Sequence, residues 1–198
     1  MVYLIIGAVL VGILTGLYIV PAAAAQLLDT IVTWALALMV FGVGIEIGRN
    51  RKAFHGLKAL GWRVLLVPFA IAAGSLIGAA GATVVLDMPL KEVMAVGAGL
   101  GWYSLSGVLI AQLYSVELGA IAFLANVFRE MLAFILIPVL VGYVGKLAAI
   151  APGGATTMDS TLPLITKVTD SQTALIAVMS GFVLTAFIPF LIPFLLAL

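Results

Sequence analysis

PGGATTMDSTLP, residues Pro152 to Pro163, lies between two strongly apolar segments. It opens on two glycines, closes on a proline, and sets Asp159 among the hydroxyls of Thr156, Thr157, Ser160 and Thr161. In so apolar a setting, hydroxyls around a carboxylate are costly unless they line a wet cavity or a binding site. Two readings follow: an exposed loop between two membrane helices, or a re-entrant turn carrying half of a substrate or ion site. Pro163, two residues after Thr161, marks a helix start, because proline is tolerated where the N–H has no partner. The hydroxyl of Ser160 or Thr161 is then expected to cap that helix.

The surroundings decide between these readings. Of 198 residues, 65% are hydrophobic and only 9% charged, against about a quarter charged in a soluble domain. The expected fold is an all-α polytopic membrane protein forming one transporter domain over residues 1–198. The absence of cysteine excludes disulfides, thiolate catalysis and thiolate metal ligation. A single histidine, with no acidic cluster at ligand spacing, argues against a metal site, and no cofactor is implied. A net charge of +1 excludes a nucleic-acid partner. The first residues lack a basic region and a small-residue cleavage site, so they read as a retained span.

Five full spans are expected, over 2–20, 27–48, 64–86, 117–146 and 173–198, each long enough for a core of about 30 Å. Glycine stripes at Gly42, Gly44 and Gly48, and at Gly74, Gly78 and Gly81, read as close-packing faces. Arg49, Arg51, Lys52, Lys58 and Arg63 form the basic cluster, which the positive-inside rule places in the cytoplasm. His55 lies in the same loop. The amino terminus is then cytoplasmic and the carboxyl terminus outside, in a multi-pass plasma-membrane protein.

Two further segments are expected to be broken or re-entrant. Val93 to Ser115 contains GAGLGWYSLSG, Gly97 to Gly107, flanked by apolar pieces of about ten residues, each covering half a bilayer. Lys146 to Asp170 contains the Asp159 stretch. The first is expected to dip in from outside and the second from inside.

Three groups of residues could carry chemistry. Asn126, Arg129 and Glu130 stand at i, i+3 and i+4, on one face of a helix at mid-depth. Such a face reads as a cavity wall, since intramembrane ionisable residues mark pathways; the alternative is a structural Arg129–Glu130 ion pair. Asp159 has the same logic from the re-entrant turn. Trp102 and Tyr103 could hold an ammonium by cation–π contact, with Ser104 and Ser106 as polar ligands; the alternative is a packed aromatic belt. Glu46 and Lys167 lie too near the interfaces to join the site.

GWYSLSG (Gly101 to Gly107), NVFRE (Asn126 to Glu130) and GGATTMDSTLP (Gly153 to Pro163) together resemble the LysO family of lysine exporters, in order, spacing and surrounding spans from about residue 5 onward. The resemblance implies export of L-lysine, or a related cationic amino acid or analogue, with Glu130 and Asp159 as substrate- and ion-coupling groups. The expected mechanism is secondary antiport, with protons as coupling ion and the half-helix ends near Thr161 and Gly107 taking the substrate carboxylate. Long members of the family carry further helices before this region. That implies a homodimer here, or a complex with a small membrane subunit. A subunit of a two-part transporter and an intramembrane hydrolase using paired carboxylates are the alternatives in function.

Overall fold

In the computed structural model, the described residues are 11–12, 14–16, 18–21, 24–49 and 62–198. Most of the first expected span, and Arg51, Lys52, His55 and Lys58 of the basic loop, lie outside them. The packing divides into two units, 1–38 and 39–198. Every regular element among the described residues is helical, as composition demanded. α1 (Ala25–Arg49) matches the expected second span.

Within residues 39–198, a 3₁₀ turn (Trp62–Leu65) leads into α2 (Leu66–Ala82). α3 (Leu90–Gly97) and α4 (Tyr103–Leu113) are the two halves of the first broken segment. α5 (Val116–Val144) follows, then the single turn α6 (Lys146–Ala149), a kinked 3₁₀ stretch (Ala151–Met158), α7 (Leu162–Val168) and α8 (Ser171–Leu196).

α5 and α8 are the two helices long and apolar enough to cross a membrane among the described residues, with mean hydropathies of 2.0 and 2.4. Each starts on a side-chain cap. Ser115 Oγ accepts from Leu118 N at 3.1 Å, and Asp170 Oδ1 accepts from Thr173 N at 2.8 Å, satisfying donors that a helix start leaves free. α5 ends at Gly145, whose φ of 82° only glycine adopts cheaply. On α5, Leu118, Ala122, Asn126, Glu130, Ala133 and Ile137 are buried at helical spacing, while Phe128, Leu132 and Ile135 face outward. Ala133 and Ile137 join Ile150, Ile165, Ile176 and Ala177 in the apolar core.

The glycine reading needs correction. Gly42, Gly74, Gly78 and Gly81 have open space where a side chain would stand, so they line no close contact among the described residues. Close approach occurs where α4 crosses α5. A Cβ on Gly107 would meet Phe123 Cβ at 2.9 Å, and one on Gly119 would meet Ala111 Cβ at 2.6 Å.

Both broken segments fold back on themselves. Tyr114 Oη donates to Glu92 Oε1 at 2.6 Å, with Lys91 Nζ 5.6 Å from the Tyr114 ring centre. An unbroken helix would hold residues 92 and 114 about 33 Å apart. The second segment is closed in the same way by Lys146 Nζ on Asp170 Oδ2 at 3.0 Å. Asp170 is held at a pKa of about 2, first by the Thr173 N–H and then by Lys146. Its depressed value contributes stability above the ordinary carboxylate pKa of about 3.9, lost as pH falls toward 2. The melting temperature should therefore fall across pH 4 to 2, and Asp170→Asn should flatten that acid limb.

Candidate functional site

The bends of the two hairpins touch. Ala155 N donates to Leu100 O at 2.8 Å, and a Cβ on Gly101 would stand 3.2 Å from Gly153 O. Breaking a helix frees backbone groups that lipid cannot satisfy, and much of the polar sequence here is spent on them. Leu100, with φ of 49°, and Gly101, with φ of 98°, form the first bend. A leucine in that conformation costs about 1–3 kcal/mol. It is held by full burial and by the bond to Ala155.

Asn126 locks this bend. Its Oδ1 accepts from Gly101 N at 2.8 Å, and its Nδ2 donates to Val96 O at 3.1 Å and to Ala122 O at 2.9 Å. Ser106, fully buried, accepts from the same amide at 3.5 Å and donates to Trp102 O at 2.9 Å. A Cβ on Gly99 would overlap the Asn126 amide, so glycine is required there. Asn126→Ala leaves Gly101 N without its partner. It should cost about 1–3 kcal/mol of stability, read as a lower melting temperature in detergent.

Arg129 holds the second bend. Its Nε donates to Pro152 O at 3.1 Å, Nη2 to Ala151 O at 3.5 Å, and Nη1 to Ser75 Oγ at 2.7 Å. Ser75 in turn donates to Gly97 O at 3.1 Å. One guanidinium thus ties both hairpins to α2. The Arg129–Glu130 ion pair is not formed; the salt bridge among the described residues is Lys146–Asp170.

The hydroxyl cluster divides in two. Thr156, Thr157 and Thr161 are buried. Thr156 donates to Gly153 O and Thr157 to Gly154 O, both at 2.8 Å, while Thr157 also reaches Ala177 O at 2.8 Å. Thr161 Oγ1 meets Thr156 Oγ1 at 3.3 Å. Asp159 and Ser160 point the other way and are exposed. Ser160 Oγ donates to Glu130 Oε1, joining the second hairpin to α5.

The expected hydroxyl cap on α7 is therefore absent. Pro163 does stand in the first turn, but Thr161 is engaged with Thr156 and Ser160 with Glu130. Gly107 is no helix end either: it lies inside α4, packed on α5, and α4 begins at Tyr103. Gly107 therefore offers a substrate carboxylate no helix-terminal amides.

Tyr103, Glu130 and Asp159 lie within electrostatic reach of one another. The Tyr103 ring stacks edge-on against Phe123, centroids 5.5 Å apart. Trp102 and Ser104 are half-buried on the same turn. The structure thus gathers Glu130, Asp159, Ser160 and Tyr103 at the bends, and turns Asn126, Arg129, Ser106 and the three threonines to holding those bends. Ser75 and Gly99 are the residues sequence reasoning missed. A serine inside the Gly74–Gly78 stripe, too polar for a lipid face, was the available signal for the first.

Helices that turn apolar side chains outward and collect polar ones at two touching breaks define an integral membrane protein of the transporter class. Similarity to known proteins narrows this. The family described as "Lysine exporter LysO" matches residues 6–196, and the chain belongs to that family. It is 32% identical over 188 residues to "Lysine exporter LysO" of Escherichia coli, covering 95% of this chain and 62% of that protein. It is also 32% identical over 161 residues to a Haemophilus influenzae protein named "Putative lysine exporter", covering 81% of this chain and 82% of that one. These are names of transporters, not of enzymes. No solved structure matches the chain.

Proposed function

We propose that this chain, as one transporter domain, moves L-lysine or a related cationic amino acid out of the cytoplasm across the plasma membrane. Glu130 and Asp159 form its cation site. The observation that carries this reading is the bond from Ser160, the neighbour of Asp159 on the second hairpin, to Glu130 on α5, which brings an acid from each element to the bends. Such breaks are where transporters build substrate sites. Paired acids suit an ammonium group, and each can exchange it for a proton. Protons entering from outside then displace lysine, which makes the cycle a proton antiport.

Tyr103, Trp102, Ser104 and Ser160 line the site. Asn126, Arg129, Ser106, Thr156, Thr157 and Thr161 keep the bends in place. The two hairpins dip from opposite faces, with the amino terminus cytoplasmic and the carboxyl terminus outside. The chain spans 62% of the length of its Escherichia coli relative. Its working unit in this proposal is two copies, or one copy with a small membrane subunit.

The test is lysine efflux from liposomes holding the purified chain. Efflux should exceed that of empty liposomes and accelerate when the outside is made acid. Efflux that needs a co-reconstituted subunit would assign the chain a subunit role. No efflux in either form would overturn the reading.

A further inference from the structure

Residues 91–140 and 146–195 align with each other, without a gap, at a shift of 55 positions. Lys91, Gly99, Leu109 and Ile110 meet the same residues at Lys146, Gly154, Leu164 and Ile165. Leu136, Ile137, Pro138 and Leu140 meet Leu191, Ile192, Pro193 and Leu195.

The structure carries the same shift. Leu118, Ala122, Asn126, Glu130, Ala133 and Ile137, buried on α5, fall on Thr173, Ala177, Gly181, Thr185, Ile188 and Ile192, all buried on α8. The caps Ser115 and Asp170 correspond, as do the interior prolines Pro138 and Pro193. Both hairpins bend through positive-φ residues, and both are closed at the base by a side-chain pair, Glu92–Tyr114 and Lys146–Asp170. Burial and capping keep one register, and the bends and closures fall within two positions of it.

We infer that the two stretches are copies of one hairpin-plus-span unit, inserted in opposite directions, with the site between them passing from face to face as the copies exchange conformations. The opposite insertion follows from the closed bases. The first hairpin returns to the face it starts from, α5 crosses, and the second hairpin therefore starts from the other face. The scaffold is duplicated, but the charge is not. Glu130 corresponds to Thr185 and Asp159 to Ser104, so each copy supplies one carboxylate. Arg129 of the first copy bonds the second hairpin, whereas its counterpart, Leu184, cannot reciprocate. The two copies are therefore held unequally in this structure, and an exchange would have to release the Arg129 contacts. The exchange rests on the transport reading; the duplication and its inverted insertion do not.

The chain has no cysteine, so single cysteines report sidedness directly. Asp87→Cys, at the entry to the first hairpin, and Lys167→Cys, at the exit of the second, replace exposed residues. With an impermeant maleimide applied to intact cells and to inside-out vesicles, each should label from one face only, and the two from opposite faces. Labelling of both from the same face would overturn the inverted arrangement. Ser160→Cys should label from either face as the site alternates; labelling from one face alone would overturn the exchange. None of these readouts needs lysine. Absent efflux with opposite-face labelling would remove the proposed substrate and support the inverted repeat.

Discussion

Glu130→Gln is expected to lower lysine efflux from preloaded vesicles by about 100-fold or more, with protein level and melting temperature near wild type. The factor corresponds to roughly 3 kcal/mol, the upper range for a hydrogen bond to a charged group. Glu130 makes no salt bridge among the described residues, and its bond comes from the Ser160 hydroxyl, which a glutamine oxygen accepts equally well. Shape and the local contact survive; charge and proton exchange do not. Asp159→Asn should behave alike, since Asp159 is exposed and its hydrogen bond is to the next residue's N–H. Wild-type efflux in either variant would remove that residue from the mechanism, and loss of folding in both would show that the acids are structural.

Arg129→Met should act in the opposite way, striking stability first. It withdraws donors from Pro152 O, Ala151 O and Ser75 Oγ together. These groups are half-buried and Ser75 keeps its bond to Gly97 O; two carbonyls left unpaired at about 1 kcal/mol or more each give an expected loss of about 2–3 kcal/mol against a total stability of roughly 5–15 kcal/mol. The purified variant should melt early and aggregate. Arg129→Lys should recover only part of this, because an ammonium lacks the planar fork that reaches three acceptors at once. An unchanged melting temperature with a raised KM for lysine would instead make Arg129 a substrate contact.

These predictions separate residues that the sequence presented as one group. Gly97 to Gly107 and Pro152 to Pro163 were legible as breaks, because glycines and hydroxyls are too costly inside a spanning helix to be incidental. The shared face of Asn126, Arg129 and Glu130 was legible from spacing alone. What spacing could not convey was the direction of each hydrogen bond. Asn126 and Arg129 have the composition of a binding site, but most of their partners are groups twenty or more residues away, visible only once the hairpins fold back. Ser160 was expected at a helix start and is engaged with Glu130 instead. The glycine stripe of α2 misled for a related reason: small residues permit close packing without requiring it. The 55-residue repeat was present in the sequence too, but few identical residues carry it, and its clearest mark is which helix face is buried.

The joints between hairpin and span are short. Only Tyr114 and Ser115 separate α4 from α5, and only Thr169 and Asp170 separate α7 from α8. In each joint one residue is committed to starting the next helix and the other lies beside it. There is no slack to absorb a sliding hairpin. Each hairpin and its span must behave as a single bent lever, so that a small displacement at the bend reappears, enlarged, at the far end of a helix about 40 Å long. Along that lever the softest points are Pro138 in α5 and Pro189 and Pro193 in α8, where the helical hydrogen-bond ladder is interrupted. The elbow of the machine is therefore not where its ligand sits, and substitutions there would change how far the lever swings without touching what it carries.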